Sequence, residues 1–353
     1  MALTYLCPVH TDKIRASLIA QVEALEAGDQ TGFERLAMQV FSYQAEHNPV
    51  YARFLELLGK HPQSIHAPEE IPHLPIELFK TRTIKTGQWQ EQQIFTSSGT
   101  TGSRPSRHFL RDAAFYRRHA RRTFERFYGP LQNYAVLALL PSYLERTGSS
   151  LVFMARDFIE YSGQSESGFY LHDYSGLRQM IERLQAAGRP VLLLGVTFAL
   201  LEFANYWRQN KRAGAKPLSD QQFILMETGG MKGRGPELTR EEVHHRLKTA
   251  FGLRQIHSEY GMTELLSQAY SSGEGLFQSP PAMRIRIRDL RDPFAERQTG
   301  HSGGINITDL ANIDSCSFIA TQDIGRQYPD GSFRVLGRSD NSELRGCNLM
   351  LST

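Results

Sequence analysis

Apolar residues in the first sixty positions recur at helical spacing. Ile14, Leu18, Ile19, Val22 and Leu25 form one stripe, closed by Gly28. Phe33, Leu36, Ala37, Val40 and Phe41 form a second, and Tyr51, Phe54, Leu55 and Leu58 a third. Prolines between His61 and Pro75 break the pattern and lead into Ile76–Lys80. From residue 93 short apolar runs alternate with amphipathic stretches. Strands are predicted at Gln93–Thr96, His108–Leu110, Ala135–Leu140, Pro190–Gly195, Gln222–Glu227 and Arg254–Ser258. Helices are predicted between them at Asp112–Tyr128, Ser149–Tyr161, Tyr174–Ala187, Thr197–Arg212 and Thr239–Phe251. Such alternation implies an α/β architecture with a largely parallel sheet. Four short strands follow, Met283–Arg288, Gly304–Thr308, Ser317–Ala320 and Ser332–Leu336. The expected organisation is a helical segment over 1–75, an α/β core over 76–281 and a small β subdomain over 282–353.

Composition narrows the class without naming a chemistry. With 353 residues, the chain exceeds the size at which single cores usually stop growing. Net charge of +3 is too small to imply a nucleic-acid partner. Cys7, Cys316 and Cys347 are odd in number and widely spaced, which fits neither a disulfide framework nor a zinc site and points to a reduced, cytoplasmic compartment. Met1 to Asp12 lacks the pattern of a targeting segment. Val191 to Ala204, interrupted by Gly195, Thr197 and Glu202, falls short of the roughly 20 apolar residues that span a bilayer, so no membrane insertion is expected.

Thr96-Ser97-Ser98-Gly99-Thr100-Thr101-Gly102 lies between two predicted strands, with Arg104 just beyond. Its backbone N–H groups, hydroxyls and glycines are the groups that wrap a polyphosphate, although a flexible surface loop has the same composition. The Gly-Lys-Ser/Thr ending of a Walker loop is absent. Four further stretches follow in order: Glu227-Thr228-Gly229-Gly230-Met231-Lys232-Gly233, Glu259-Tyr260-Gly261-Met262-Thr263-Glu264, Thr321-Gln322-Asp323-Ile324-Gly325-Arg326 and Gly337-Arg338-Ser339-Asp340. Each alone could be an ordinary turn.

Together these motifs resemble the acyl-adenylate-forming superfamily, and the resemblance covers nearly the whole chain. Leu74-Pro75-Ile76-Glu77-Leu78-Phe79-Lys80 looks like the branch of acyl-protein synthetases (LuxE-type) and phenylacetate–CoA ligases. The resemblance implies the large-domain fold of that superfamily, with ATP and Mg²⁺ as cofactors. It implies that Thr96 to Gly102 hold the phosphates and that Gly229 and Gly230 lie flat against adenine. Tyr260 would pack on the base with Gly261 among the nucleotide-binding residues, Thr263 would bond the α-phosphate, and Glu264 would hold Mg²⁺. Asp323 and Arg338 would take the ribose hydroxyls.

Full-length acyl-CoA ligases of the superfamily carry a further small lid domain with a lysine that completes the adenylation site. This sequence ends at Thr353 without a match to it, so an absent or truncated lid is expected. Lys80, Lys232 and Arg104 are then the candidates for the missing positive charge. LuxE-type synthetases resemble this chain in ending there. They activate a fatty acid as acyl-AMP and move the acyl group to their own C-terminal cysteine, for delivery to a partner reductase. Cys347 stands at the matching place, where Arg345 would lower its pKa, although a lone cysteine is equally read as an inert, semi-buried small apolar residue. Coenzyme A or an acyl carrier protein is the alternative acceptor, and a nucleotide-binding module without turnover is a third reading. Tyr143 and Phe198 are candidates to line the acid pocket, as well as ordinary core residues. Arg107, Arg111, Arg117, Arg118, Arg121, Arg122 and Arg126 read as a solvated helix face or as a docking surface for an acidic carrier.

Overall fold

The computed structural model describes residues 8–97, 104–141, 148–210, 218–229 and 238–339. The chain falls into two compact units, one built from residues 1–88 and 281–353 and the other from 89–280. The first unit therefore joins the two ends of the chain.

The first unit opens with helices α1 (Pro8–Ala24), α2 (Gln30–His47) and α3 (Pro49–Leu57), strand β1 (Leu74–Pro75) and the short helix α4 (Leu78–Thr81). Asp29 caps α2 by accepting from the Gly32 N–H, and Asn48 caps α3 by accepting from Val50 and Tyr51, with Pro49 in the first turn where no donor is needed. The predicted stripe Phe33, Leu36, Ala37, Val40 and Phe41 is the buried face of α2.

In the second unit, strands β2 (Gln93–Thr96) and β3 (Arg107–Leu110) form an antiparallel hairpin. Then come α5 (Ala113–Tyr128), β4 (Ala135–Leu139), α6 (Ser150–Ser162), β5 (Gly168–Phe169), α7 (Tyr174–Ala186), β6 (Val191–Val196), α8 (Thr197–Gln209), β7 (Phe223–Thr228), α9 (Arg240–Phe251), β8 (His257–Tyr260) and β9 (Ala269–Ser271). The sheet order is β5-β4-β6-β7-β8-β9, parallel except for the last pair. Every residue of β4, β6 and β7 is buried, as expected of parallel strands covered on both faces.

The chain returns to the first unit with β10 (Met283–Arg288), β11 (Ser302–Asp309), β12 (Phe318–Gln327) and β13 (Phe333–Arg338). These form a mixed sheet in the order β1-β12-β11-β10, with β13 also paired to β12. Buried polar groups tie its connections to the N-terminal helices. Gln44 donates to the carbonyls of Asn312 and Ile313 and accepts from the Ser317 N–H, while Asn48 and Thr86 both donate to the Ser315 carbonyl. Arg15 clamps Asp314 with two parallel bonds. The α/β class, the helical N-terminal part and the small β region match the expectation. Among the described residues no helix is long and apolar enough to cross a membrane.

Candidate active site

Motif residues of the second unit gather where its parallel strands end, which is where open α/β sheets bind ligands. Gly229 follows β7 with φ 70°, a left-handed conformation that favours glycine. Its carbonyl accepts from the Thr197 hydroxyl at 3.1 Å, and the same hydroxyl reaches Glu227 Oε2 at 3.1 Å. Next door, Tyr260 closes β8 and the Thr228 hydroxyl donates to the Glu259 carboxylate. A Cβ at Gly261 would collide with Glu259 Oε1, so any larger residue there would have to displace the buried carboxyl beneath it. The Tyr260 ring packs on Phe277 at 5.8 Å, and Arg240 covers Phe277 from 4.9 Å.

Thr96 and Ser97 lie at the end of the β2–β3 hairpin. Ser97 exchanges two bonds with Ser106, donating from its N–H to the Ser106 carbonyl (3.2 Å) and accepting at Oγ from the Ser106 N–H (2.9 Å). These bonds close the base of the Ser/Thr/Gly loop. The Thr96 N–H donates to Gly148 O at 2.8 Å, and a Cβ on Gly148 would lie 2.9 Å from both Ile94 O and Thr96 Oγ1. His108 pairs with Phe95 across the hairpin, is buried, and donates through Nδ1 to the Thr263 carbonyl at 2.8 Å. That bond ties the strand pair carrying Thr96 and Ser97 to the turn carrying Thr263 and Glu264. A second tie joins His119 of α5 to Ser267 Oγ at 2.8 Å.

Two buried carboxyls lie on neighbouring strands under these turns, Glu227 in register with Ser258 and Glu259 with Thr228, so they face opposite sides of the sheet. Burial would raise the pKa of Glu227, but the bond from His244, the charge of Arg240 and the Ser258 hydroxyl outweigh it and hold the group below its usual range. Arg240 Nε lies 3.3 Å and His244 Nε2 3.6 Å from Glu227 Oε1. Glu259 is pushed up to about 7 by burial and by the charge of Glu227, against the opposing bond from Thr228. An ionised and a half-protonated carboxyl thus occupy neighbouring strands near neutral pH.

Glu264 is buried at the head of the same region. Among the described residues no group of three His, Cys, Asp or Glu side chains could hold a metal ion. A single carboxylate nonetheless suits Mg²⁺, which is commonly bound by one or two carboxylates, waters and the phosphates of a substrate.

In the first unit Asp323 and Arg338 are register partners across β12 and β13. Arg338 Nη2 also donates to Gln322 Oε1 at 3.2 Å. Lys80 is half-buried on α4. Ser98, Gly99, Thr100, Thr101, Gly102, Gly230, Lys232, Cys347, Tyr143 and Asp340 lie outside the described residues. Phe198 is a buried residue of α8. In the arginine-rich stretch, Arg121 makes two bonds to Asp157 of α6 at 2.7 and 2.9 Å, and Arg117 lies 3.8 Å from the same carboxylate. Part of that charge therefore fastens α5 to α6. Burial pushes the Cys316 thiol up to about 12, which makes it a poor nucleophile.

Glu227 and Glu259 head two of the quoted stretches but were given no role there, and His108 and Thr197 support the motif turns without having been singled out by the sequence.

No protein-family profile matches the sequence, and no curated protein matches it either. Solved structures do. A crystal structure of 2-hydroxyisobutyryl-CoA ligase in the postadenylation state, in complex with R3-HIB-AMP, superposes with a TM-score of 0.61 at 13% identity, covering 96% of this chain and 73% of that one. An open conformation of the same ligase, with 2-HIB-AMP and CoA, gives 0.59 at 14% identity over 96% and 75%. ATP-bound MatB from Rhodopseudomonas palustris gives 0.50 at 15% identity over 69% of this chain, which spans 47% of that structure's length. The chain has the fold of the adenylate-forming ligases, an α/β large domain with a small β region toward its C-terminal end.

Proposed function

We propose that this protein activates a carboxylic acid with ATP and passes the acyl group to a thiol. A carboxylate oxygen of the acid attacks the α-phosphorus, the bond to the β-phosphate oxygen breaks, and pyrophosphate leaves with the electron pair. The acyl-AMP formed is a mixed anhydride. A thiolate then attacks its carbonyl carbon, giving a thioester and AMP. The observation that carries this reading is the bond from His108 to the Thr263 carbonyl, which couples the hairpin of the Ser/Thr/Gly loop to the Thr263–Glu264 turn.

In this reading Thr96 to Gly102 and Thr263 donate to phosphate oxygens, acting on charge that develops as pyrophosphate departs. Glu264 holds Mg²⁺, which when bound neutralises charge on those same oxygens. Gly229, Gly230, Tyr260 and Gly261 frame the adenine, and Asp323 with Arg338 takes the ribose. Lys80 or Lys232 supplies the remaining positive charge. A fatty acid is the proposed substrate, Cys347 the proposed first acceptor, and an acyl-accepting reductase the proposed partner. The CoA-ligase names of the structural neighbours favour a second reading, in which coenzyme A or a carrier protein takes the acyl group directly.

Acid-dependent pyrophosphate release with ATP and Mg²⁺, across fatty and aryl acids of graded length, tests adenylation and names the acid. Silence across the panel in a chain that binds ATP would leave a nucleotide-binding module. Cys347→Ser then separates the acceptors: it abolishes self-acylation if Cys347 is used and spares turnover if coenzyme A is.

A further inference from the structure

We infer that Arg288 is a positioning residue for Asp323, and that the glycine at position 304 exists to seat its guanidinium; this rests on the ribose-binding role proposed for Asp323. The register of β11 and β12 breaks at this place. Gly304 pairs with Ile324 and Asn306 with Ala320, so Thr321, Gln322 and Asp323 all face the single residue Ile305. A bulge of this kind bends the strand, re-aims its side chains and leaves backbone groups without ladder partners. Here side chains replace the ladder.

Arg288 reaches into the bulge from β10. Its Nη1 donates to the Ile305 carbonyl at 2.8 Å and to Asn306 Oδ1 at 2.9 Å, and its Nη2 donates to the Thr321 carbonyl. The Thr321 hydroxyl donates to the same Ile305 carbonyl at 2.8 Å and accepts from the Asp323 N–H at 3.1 Å. One planar cation therefore bridges both strands, and one hydroxyl passes the constraint to the backbone of Asp323. On the other edge Asp323 is paired with Arg338, so the segment is held from both sides. A Cβ at Gly304 would lie 2.5 Å from the Arg288 guanidinium carbon and 2.8 Å from Nε. Burial pushes the Arg288 pKa down, while the nearby Glu77 and Asp323 carboxylates oppose that shift. A lysine could not reproduce the arrangement, because it lacks the fixed fork that reaches acceptors on two strands at once.

The test compares binding of ATP and 2′,3′-dideoxy-ATP by titration calorimetry, with a thermal melt of each variant. Only ATP offers the hydroxyls that Asp323 would accept. Arg288→Met and Gly304→Ala are expected to weaken ATP roughly tenfold, as for loss of a charged hydrogen bond, and to leave dideoxy-ATP unchanged. Arg288→Lys is expected to fall in the same direction despite keeping the charge. Gly304→Ala retains the arginine itself, so a collapsed ratio in a chain that melts cooperatively reports displacement of the guanidinium and not misfolding. Asp323→Ala must abolish the preference for ATP. If it does not, the ribose role of Asp323 is wrong and the inference falls with it. If it does, while folded Arg288→Met and Gly304→Ala keep the wild-type ratio, the inference alone is overturned.

Discussion

Glu227 and Glu259 show how two identical side chains on adjacent strands acquire different chemistry. Both are fully enclosed, but Glu227 has Arg240 and His244 beside it, whereas Glu259 meets the Thr228 hydroxyl and the field of its charged neighbour. Glu259 therefore holds its proton from the ordinary value of 4.5 up to about 7 in the folded state. Over that window the native state binds more protons than the unfolded chain, so stability falls as pH rises, by at most about 1.4 kcal/mol per pH unit. Glu259→Gln removes the titration and keeps the shape. Urea unfolding of the two proteins from pH 4.5 to 8 should show the decline in wild type and a flatter profile in the variant; parallel profiles would refute the assignment. His108 makes a second residue-scale prediction. His108→Phe takes the donor from the part-buried Thr263 carbonyl, a loss of about 1 kcal/mol in stability. On the proposed reading it also lowers the rate of ATP–pyrophosphate exchange. Exchange at the wild-type rate would show that the tie does not serve the site. The stretches that carry the proposed site stood out in the sequence because each is contiguous. The support from His108 did not, because its partner is 155 positions away.

At the scale of elements, periodicity marked the buried strands and the amphipathic helices well, since burial on one or both faces is what produces the pattern. It missed β5 and β9, whose two and three residues are too short to show any period. It also stopped β12 at Ala320, because the bulged Thr321-Gln322-Asp323 breaks the alternation that signals a strand. The arginines of α5 illustrate a different limit. Helical spacing shows that they share a face, but not that Asp157 on α6 receives two of them. Arg117 lies over Phe153 at 4.8 Å and Arg121 over Tyr161 at 4.2 Å, so both guanidiniums are also stacked on α6. Asp157→Ala should therefore cost about 2 kcal/mol in unfolding free energy, the range for hydrogen bonds to charged groups. Surface ion pairs of the ordinary kind contribute far less and fade with salt. A loss below about 0.5 kcal/mol, or one abolished by 1 M salt, would return these arginines to the pool of free surface charge.

At the scale of the molecule, the first unit is assembled from chain ends that no local pattern could join. Gln44 meets the segment 312–317 across separations of 268 to 273 positions, with one side chain serving two carbonyls and one N–H. Leucine has nearly the same bulk but no amide, so Gln44→Leu keeps the packing of α2 and orphans the Ile313 carbonyl and the Ser317 N–H, while the Asn312 carbonyl keeps the Ser315 N–H. Each orphan carries a penalty of about 1–3 kcal/mol, so the variant should be strongly destabilised within that unit. Native-state hydrogen exchange locates the damage. Amides of α2 and of the β11–β12 connection should lose protection together, because they share the lost bonds, while those of β4, β6 and β7 keep theirs. That contrast follows from the division into two compact units, since local stability reflects the packing within each. A uniform loss across both units would mean that the chain opens as a single cooperative block, and that the link between its ends stabilises the second unit as much as the first.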